Sequence, residues 1–302
     1  MLKAGCRGKH KMQLHRFYGW DEVRISFDPK QGYQIEASEA FASETKPSGH
    51  IAVSQEQAKN PGFMSDAGEI SFSLKLKKEI TFNVGYGAGS FFRFLKAFDM
   101  YWHAEGIKTL VEGKITLDGR TYEVRPETSF GYSDKNWGSD FTTPWVWLSS
   151  NDIYSHREKR KLENSAFDIG GGRPVVFHVP LNRKLLGVFD LEGNEKTEFN
   201  FSKFWMGVKT VFSKEEDEYD VIWHVRQSNH HYQMETEVHC HKADMLFVQY
   251  EDPLGRKRFK HLYNDGTGTG IIHLYAKKGK KLTLLDTYDV GHVGCEYGEY
   301  ED

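Results

Sequence analysis

Cysteine is scarce in this chain: three residues in 302, Cys6, Cys240 and Cys295, far apart and odd in number. That excludes a disulfide framework and points to a reducing compartment. No CxxC pair supplies a zinc-type spacing, and no GxSxG elbow or Cys-His context supplies a nucleophile. Long apolar runs are lacking as well. None approaches the ~18 residues that cross a bilayer as a helix, and "MLKAGCRGKHKM" has no signal-peptide core, so a cytoplasmic protein without stable membrane insertion is expected. Neither sign of charge dominates, with 40 Lys and Arg against 43 Asp and Glu. The balance gives no reason to expect nucleic acid or an anionic membrane as partner.

What is abundant is β-forming and turn-forming material. Aromatics reach 14%, and 29 glycines accompany only eight prolines. "KITLDGRTYEV" places Asp118-Gly119 between two alternating runs, the strongest short hairpin signal. "LGVFDLEGNEKTEFNF", "FVQYEDPLGRKRFKHLY" and "IIHLYAKKGKKLTLLDTY" repeat the pattern of β-rich flanks around glycine. Such a series predicts an all-β fold of antiparallel sheets, in sandwiches or barrels, with few short helices. Helical candidates are "SFFRFLKAFDMYWH" (90–103) and "SHREKRKLENSAF" (155–167), the second charged on nearly every face and equally a solvated loop. Length favours two domains, and the Gly, Ser, Thr and Pro of "GSDFTTP" suggest a boundary giving 1–140 and 141–302.

Three constellations bear on chemistry. "NVGYGAGSFFRFL" offers Gly85, Gly87 and Gly89, but Ser90 stands where a dinucleotide loop needs its third glycine and no βαβ series follows, so a turn or loosened strand is expected and no cofactor is implied. "HVRQSNHHYQMETEVHCH" places His239 and His241 on one strand face with Glu235 and Glu237, with His224 a neighbour. That is a zinc set or a solvent-facing surface. "GYSDKNWGSDFTTPWVWLSS" (131–150) is the densest. Tyr132, Asp134, Lys135, Asn136 and Trp137 supply a phenol, a carboxyl, an ammonium, an amide and an indole within six positions. Trp145 and Trp147 alternate onto one strand face, and Trp102 and His103 add further ring surface.

The same stretch resembles the tyrosine-x-acid-lysine-asparagine-tryptophan-glycine signature of the tocopherol cyclase family. "MYWHAEGIKTLVEGKITLDGRTYEV" is similar to the segment preceding that signature, and "DVGHVGCEYGEY" to the closing strand with its acid and glycine. The resemblance is specific over about 100–150. It implies two lipocalin-like β-barrels or half-barrels, related to carotenoid hydratase and Diels-Alderase-type proteins, enclosing a cavity for a hydrophobic isoprenoid or lipid-like molecule. The family's acid is often glutamate where this chain has Asp134, shorter by one methylene.

Two activities follow from the resemblance. One is a cofactor-independent cyclase or isomerase, with Asp134 as general acid, Lys135 and Tyr132 beside it, and Trp137, Asn136, Trp102, His103, Trp145 and Trp147 around the ligand. A carboxyl in an apolar cavity keeps its proton, and indole faces attract developing positive charge. The other is a carrier that uses the same cavity without chemistry.

Overall fold

The computed structural model describes the chain apart from residues 9, 30–31, 83–93, 139, 183, 194–195, 252–258 and 301–302. Strand makes up 66% and helix 6%, with a curled half-barrel sheet. The hairpins form as their turn residues dictate. Leu117 pairs with Arg120 across Asp118 and Gly119, whose φ values of 44° and 79° are both left-handed, the conformation a tight two-residue turn requires. Lys278 pairs with Lys281 around Gly279, also left-handed at φ 62°.

The helix expected over 90–103 does not run to the end of that stretch. From Met100 the chain is the strand Met100–Leu117, because Trp102 and Ala104 alternate inward at 5% and 0% exposure and pair apolar surface on one face. The charged stretch 155–167 is a turn followed by the strand Arg160–Leu162, paired with Asp152–Ser155. The glycine series at 85–89 lies outside the described residues.

Two compact units result. One joins Met1–Lys78 to Thr109–Gly131; the other joins Glu79–Lys108 to Tyr132–Asp302. This division differs from the expected break after residue 140, since "EITF" at 79–82 and the signature segment both group with the C-terminal half. In the first unit the strand Gly68–Phe82, as far as Lys78, is followed in the sheet by Ser48–Val53, Ala40–Ser43, Gly32–Ala37 and Arg24–Asp28. Its core is Met12, Leu14, Ile51, Val53 and Ile70.

The second unit carries a 12-stranded sheet whose main path is Thr197–Phe199, Lys184–Asp190, Ala166–Gly172, Trp145–Ser150, Lys281–Tyr300, Phe259–Lys278, Tyr232–His241, Asp220–Ser228 and Lys209–Glu216. The sheet curls until its ends meet. Gln227 Nε2 donates to the Leu185 carbonyl at 2.9 Å, and Asn229 Nδ2 to that of Glu198 at 3.0 Å, bridging strands at opposite ends of the path. Gly187 permits this approach, since a Cβ there would lie 2.0 Å from Gln227 Oε1.

Strand alternation then sorts side chains between two faces. Val146, Leu148, Phe167, Ile169, Leu185 and Phe189 join Trp223 and Met234 in one fully buried core on the concave side. The residues between them face outward, where Trp145, Trp147, Ala166, Leu186 and Val188 meet a second layer of Ile80, Phe82, Trp102, Ala104, Ile107 and Tyr132. Hydrogen bonds pin that layer: Asn151 Nδ2 to the Ile107 carbonyl at 3.0 Å, and Lys196 Nζ to that of Thr81 at 2.7 Å. The sequence candidates Trp102, Tyr132, Trp145 and Trp147 belong to this second layer, on the other face of the sheet from the first core.

Candidate active site

The site is built on close approach at two glycines. A Cβ on Gly170 would fall 2.5 Å from the Trp102 ring, and one on Gly294 would fall 2.4 Å from the Trp147 ring. Both indoles therefore pack against bare backbone. Each then presents its N–H to a carboxyl. Trp102 Nε1 donates to Asp134 Oδ2 at 2.9 Å, and Trp147 Nε1 to Asp168 Oδ1 at 2.9 Å. Trp145, packed edge-on to Trp102 with centroids 5.9 Å apart, donates to Glu296 Oε2 at 3.0 Å. Three tryptophans thus orient three acids.

Asp134 is accessible to water as a residue, yet its carboxyl is crowded by protein. Desolvation, then the neighbouring Glu296, raises its pKa to about 6 from 3.8, against the opposing bonds from Trp102 and from Asn136 Nδ2 at 3.1 Å. Because water does reach it, the desolvation cost is smaller than in a sealed cavity. Asp168 is fully buried and its pKa lies well above the ordinary value, through burial and then through Asp134, with the Trp147 bond opposing. The Tyr132 phenol is likewise raised by burial, then by Asp168 and Asp134.

Beside these acids opens an apolar cleft of about 70 Å³, lined by Phe98, Met100, Tyr101, Trp102, Trp145 and Leu186, with Lys184 and Ser202 among its polar residues. Trp102 and Trp145 are the link, each facing the cleft and holding a carboxyl through its N–H. Gly172 lets the wall close, since a Cβ there would lie 2.1 Å from the Pro144 carbonyl oxygen.

The other sequence candidates take different places. Lys135 forms an ion pair with Glu105, which is 8% exposed, and so does not neutralise Asp134. Trp137 is half-exposed and stacks on Tyr101 at 5.6 Å and 9°. Tyr132 and Trp147 lie behind the cleft, ring against ring at 4.7 Å. His103 follows Trp102 in the strand and is not among the residues lining the cleft. Among the histidines, His224 and His239 both meet Glu237, at 3.2 and 3.0 Å, while His241 meets Asp220 at 2.7 Å. Among the described residues no group of three or more His, Cys, Asp or Glu is arranged to hold a metal. That strand face is the solvent-facing surface.

Residues 17–296 match the family model described as tocopherol cyclase-like. The chain belongs to the tocopherol cyclase-like family. The match runs well beyond the signature, through both units and up to Glu296 itself. A solved structure, kievitone hydratase from Nectria haematococca, is similar at 12% identity and a TM-score of 0.36, covering 84% of this chain and 65%, just under two thirds, of that one. No curated protein matches. Among the described residues no helix is long and apolar enough to cross a membrane.

Sequence reasoning missed Asp168, Glu105, Gly170 and Gly294. Asp168 and Gly170 carried a signal: "AFDIGGG" is a strand with one acid amid apolar residues and a glycine run that has no reason to be there unless something packs on it. Glu296 was not singled out either; it is one of three acids in the closing segment "DVGHVGCEYGEY".

Proposed function

We propose that this tocopherol cyclase-like protein binds an apolar, isoprenoid-like molecule along the Trp102–Trp145 cleft and protonates it through Asp134, for cyclisation or isomerisation without a cofactor. The observation that carries the reading is the 2.9 Å bond from Trp102 Nε1 to Asp134, because the indole holding the carboxyl is also a wall of the cleft. A carboxyl with a pKa of about 6 keeps its proton in roughly a tenth of molecules at pH 7, and delivers it more readily than an ordinary aspartate.

Protonating a trisubstituted alkene breaks the Asp134 O–H bond and makes a C–H bond, leaving a tertiary cation for an internal hydroxyl to attack. The faces of Trp102 and Trp145 stabilise that cation by about 0.5–2 kcal/mol each. Enzymatic acceleration requires at least about 8 kcal/mol, so alignment of alkene, acid and nucleophile supplies most of it. Lys135, tied to Glu105, acts at a distance from the transfer.

One observation favours a carrier without chemistry: Asp134 is not itself among the residues lining the cleft. The two readings separate on Asp134→Asn. Solvent extraction and mass spectrometry of purified protein identify the apolar ligand; the variant then retains it in either case, and loses turnover of it only if Asp134 is the acid. Recovery of no apolar compound, together with no binding of prenylated phenols or terpenoid alcohols, defeats both.

A further inference from the structure

The first unit ends in a hairpin whose apolar side chains face water. Across the strands Arg24–Asp28 and Gly32–Ala37, Ile25 stands opposite Ile35 and Phe27 opposite Tyr33. All four share one face of the hairpin, and each is 45–62% exposed. The rings of Phe27 and Tyr33 meet at 5.0 Å. Arg24–Asp28 is also the last strand of its sheet. Among the described residues it pairs on one side alone, in an unbroken register without a bulge. Half of its backbone N–H and C=O groups therefore point away from the sheet, and such an edge is a template for another strand.

We propose that this edge pairs with the same edge of a second copy of the chain, antiparallel about a two-fold axis at Ser26. The ends of the strand set the window for pairing. The turn of 3-10 helix Trp20–Glu22 precedes it, and Pro29, which has no N–H to give, follows it. What is left is five residues centred on Ser26. Laid antiparallel on a copy of itself, Arg24–Asp28 brings Ser26 opposite Ser26, Ile25 opposite Phe27 and Arg24 opposite Asp28, the last two pairs occurring twice. Apolar pairs and opposite charges are the combinations that stabilise directly opposed strand residues.

Other registers are worse. A slip of one residue turns the apolar face of one copy towards the polar face of the other. A slip of two in one direction sets Asp28 opposite Glu22, two acids, and in the other direction sets Ile25 opposite Pro29. Charge also selects the partner. Arg24 and Glu36 stand opposite each other at one end of the hairpin, so both signs border the apolar face and a self-complementary surface suits it better than an anionic one. Two-fold pairing uses up the edge in both copies, so assembly stops at a dimer. No residue of the cleft or of the acid cluster takes part, and the inference stands apart from the chemistry at Asp134.

Sedimentation velocity of the full chain, over about 1–100 μM, should show a monomer in equilibrium with a dimer. Arg24→Asp turns both charge pairs into acid against acid, and Asp28→Arg turns both into base against base; each alone should raise the dissociation constant about tenfold. An equimolar mixture of the two variants should dimerise as tightly as the parent, because every opposed pair again joins opposite charges. That recovery also shows that both variants fold. Should either fail to fold, a disulfide decides: with Cys6→Ser removing the partly exposed thiol, Ser26→Cys should give a covalent dimer on mild oxidation, and Gln34→Cys, one strand further in, should not. A chain that stays monomeric throughout, or a dimer indifferent to both charge reversals, overturns the proposal. So does a monomer that binds phosphatidylcholine vesicles and loses them on Phe27→Ser, since the face then serves a lipid surface.

Discussion

Replacing Asp134 with asparagine should stabilise the protein at high pH and leave it nearly unchanged at low pH, the reverse of what removing a salt-bridged carboxylate does. Folding raises this carboxyl's pKa from 3.8 to about 6, through desolvation and Glu296. The native state therefore holds the proton more tightly than the unfolded chain. The contribution is fully present below pH 3.8, declines as pH rises towards 6, and is gone above it. A shift of about two units corresponds to about 3 kcal/mol in an enclosed site; water reaches Asp134, so screening reduces it to about 1 kcal/mol. Urea unfolding followed by tryptophan fluorescence, at pH 4 and pH 8, measures the difference. Asp134→Asn should unfold at higher urea than the parent at pH 8, by about 1 kcal/mol, and together with it at pH 4. The amide keeps an oxygen for the Trp102 N–H, so the geometry survives. If the variant is less stable at pH 8 than at pH 4 relative to the parent, the indole and amide bonds outweigh desolvation, the carboxylate is the favoured form, and the acid role fails with it.

Gly170→Ala drives a methyl into the Trp102 ring at 2.5 Å and should cost about 1–3 kcal/mol by thermal unfolding, with the cleft indole displaced and ligand affinity reduced. Gln227→Ala removes one of the two bonds described between the ends of the curled sheet and leaves a void beside Gly187; a loss of about 1–3 kcal/mol is expected in urea titration. His50 bonds Glu69 at 3.0 Å and Glu39 at 3.1 Å, which raises its pKa, so its contribution is present below pH 6.5 and falls away as pH rises through the raised value. His50→Gln should therefore lose more stability at pH 5.5 than at pH 8.5.

The hairpins were legible because their chemistry is local. Asp118-Gly119 forms its turn from backbone preference alone, and Gly279 does the same. The strand beginning at Met100 was misread because "FFRFLKAFDMYWH" carries apolar residues at both spacings, and its choice is made by surface several strands away in sequence: Trp102 needs Gly170, 68 positions on. The acid cluster divides the same way. Asp134 stood out in the sequence because signature residues crowd around it, whereas Asp168 meets its partner Trp147 only in the fold, 21 positions upstream. The face that carries the indoles was not legible for another reason. Alternation shows which residues share a face, but not which face of a curled sheet is concave, and here the bulky aliphatic set fills the concave side while the indoles lie outside it.

That inversion bears on how the site can work. A chamber inside a closed barrel would strip water from every group in it, and an aspartate there would stay neutral far above pH 7, too weak an acid for an alkene. On the other face, burial of the Asp134 carboxyl and then Glu296 raise its pKa to about 6, between an ionised surface carboxylate and an inert buried one. Asp168, with no access to water, occupies the other extreme a few side chains away. Two aspartates, each accepting from an indole N–H, are thus held in surroundings of different access to water. The glycines under Trp102 and Trp147 make that possible, because only bare backbone lets two indoles lie close enough to the sheet for their N–H groups to reach both acids.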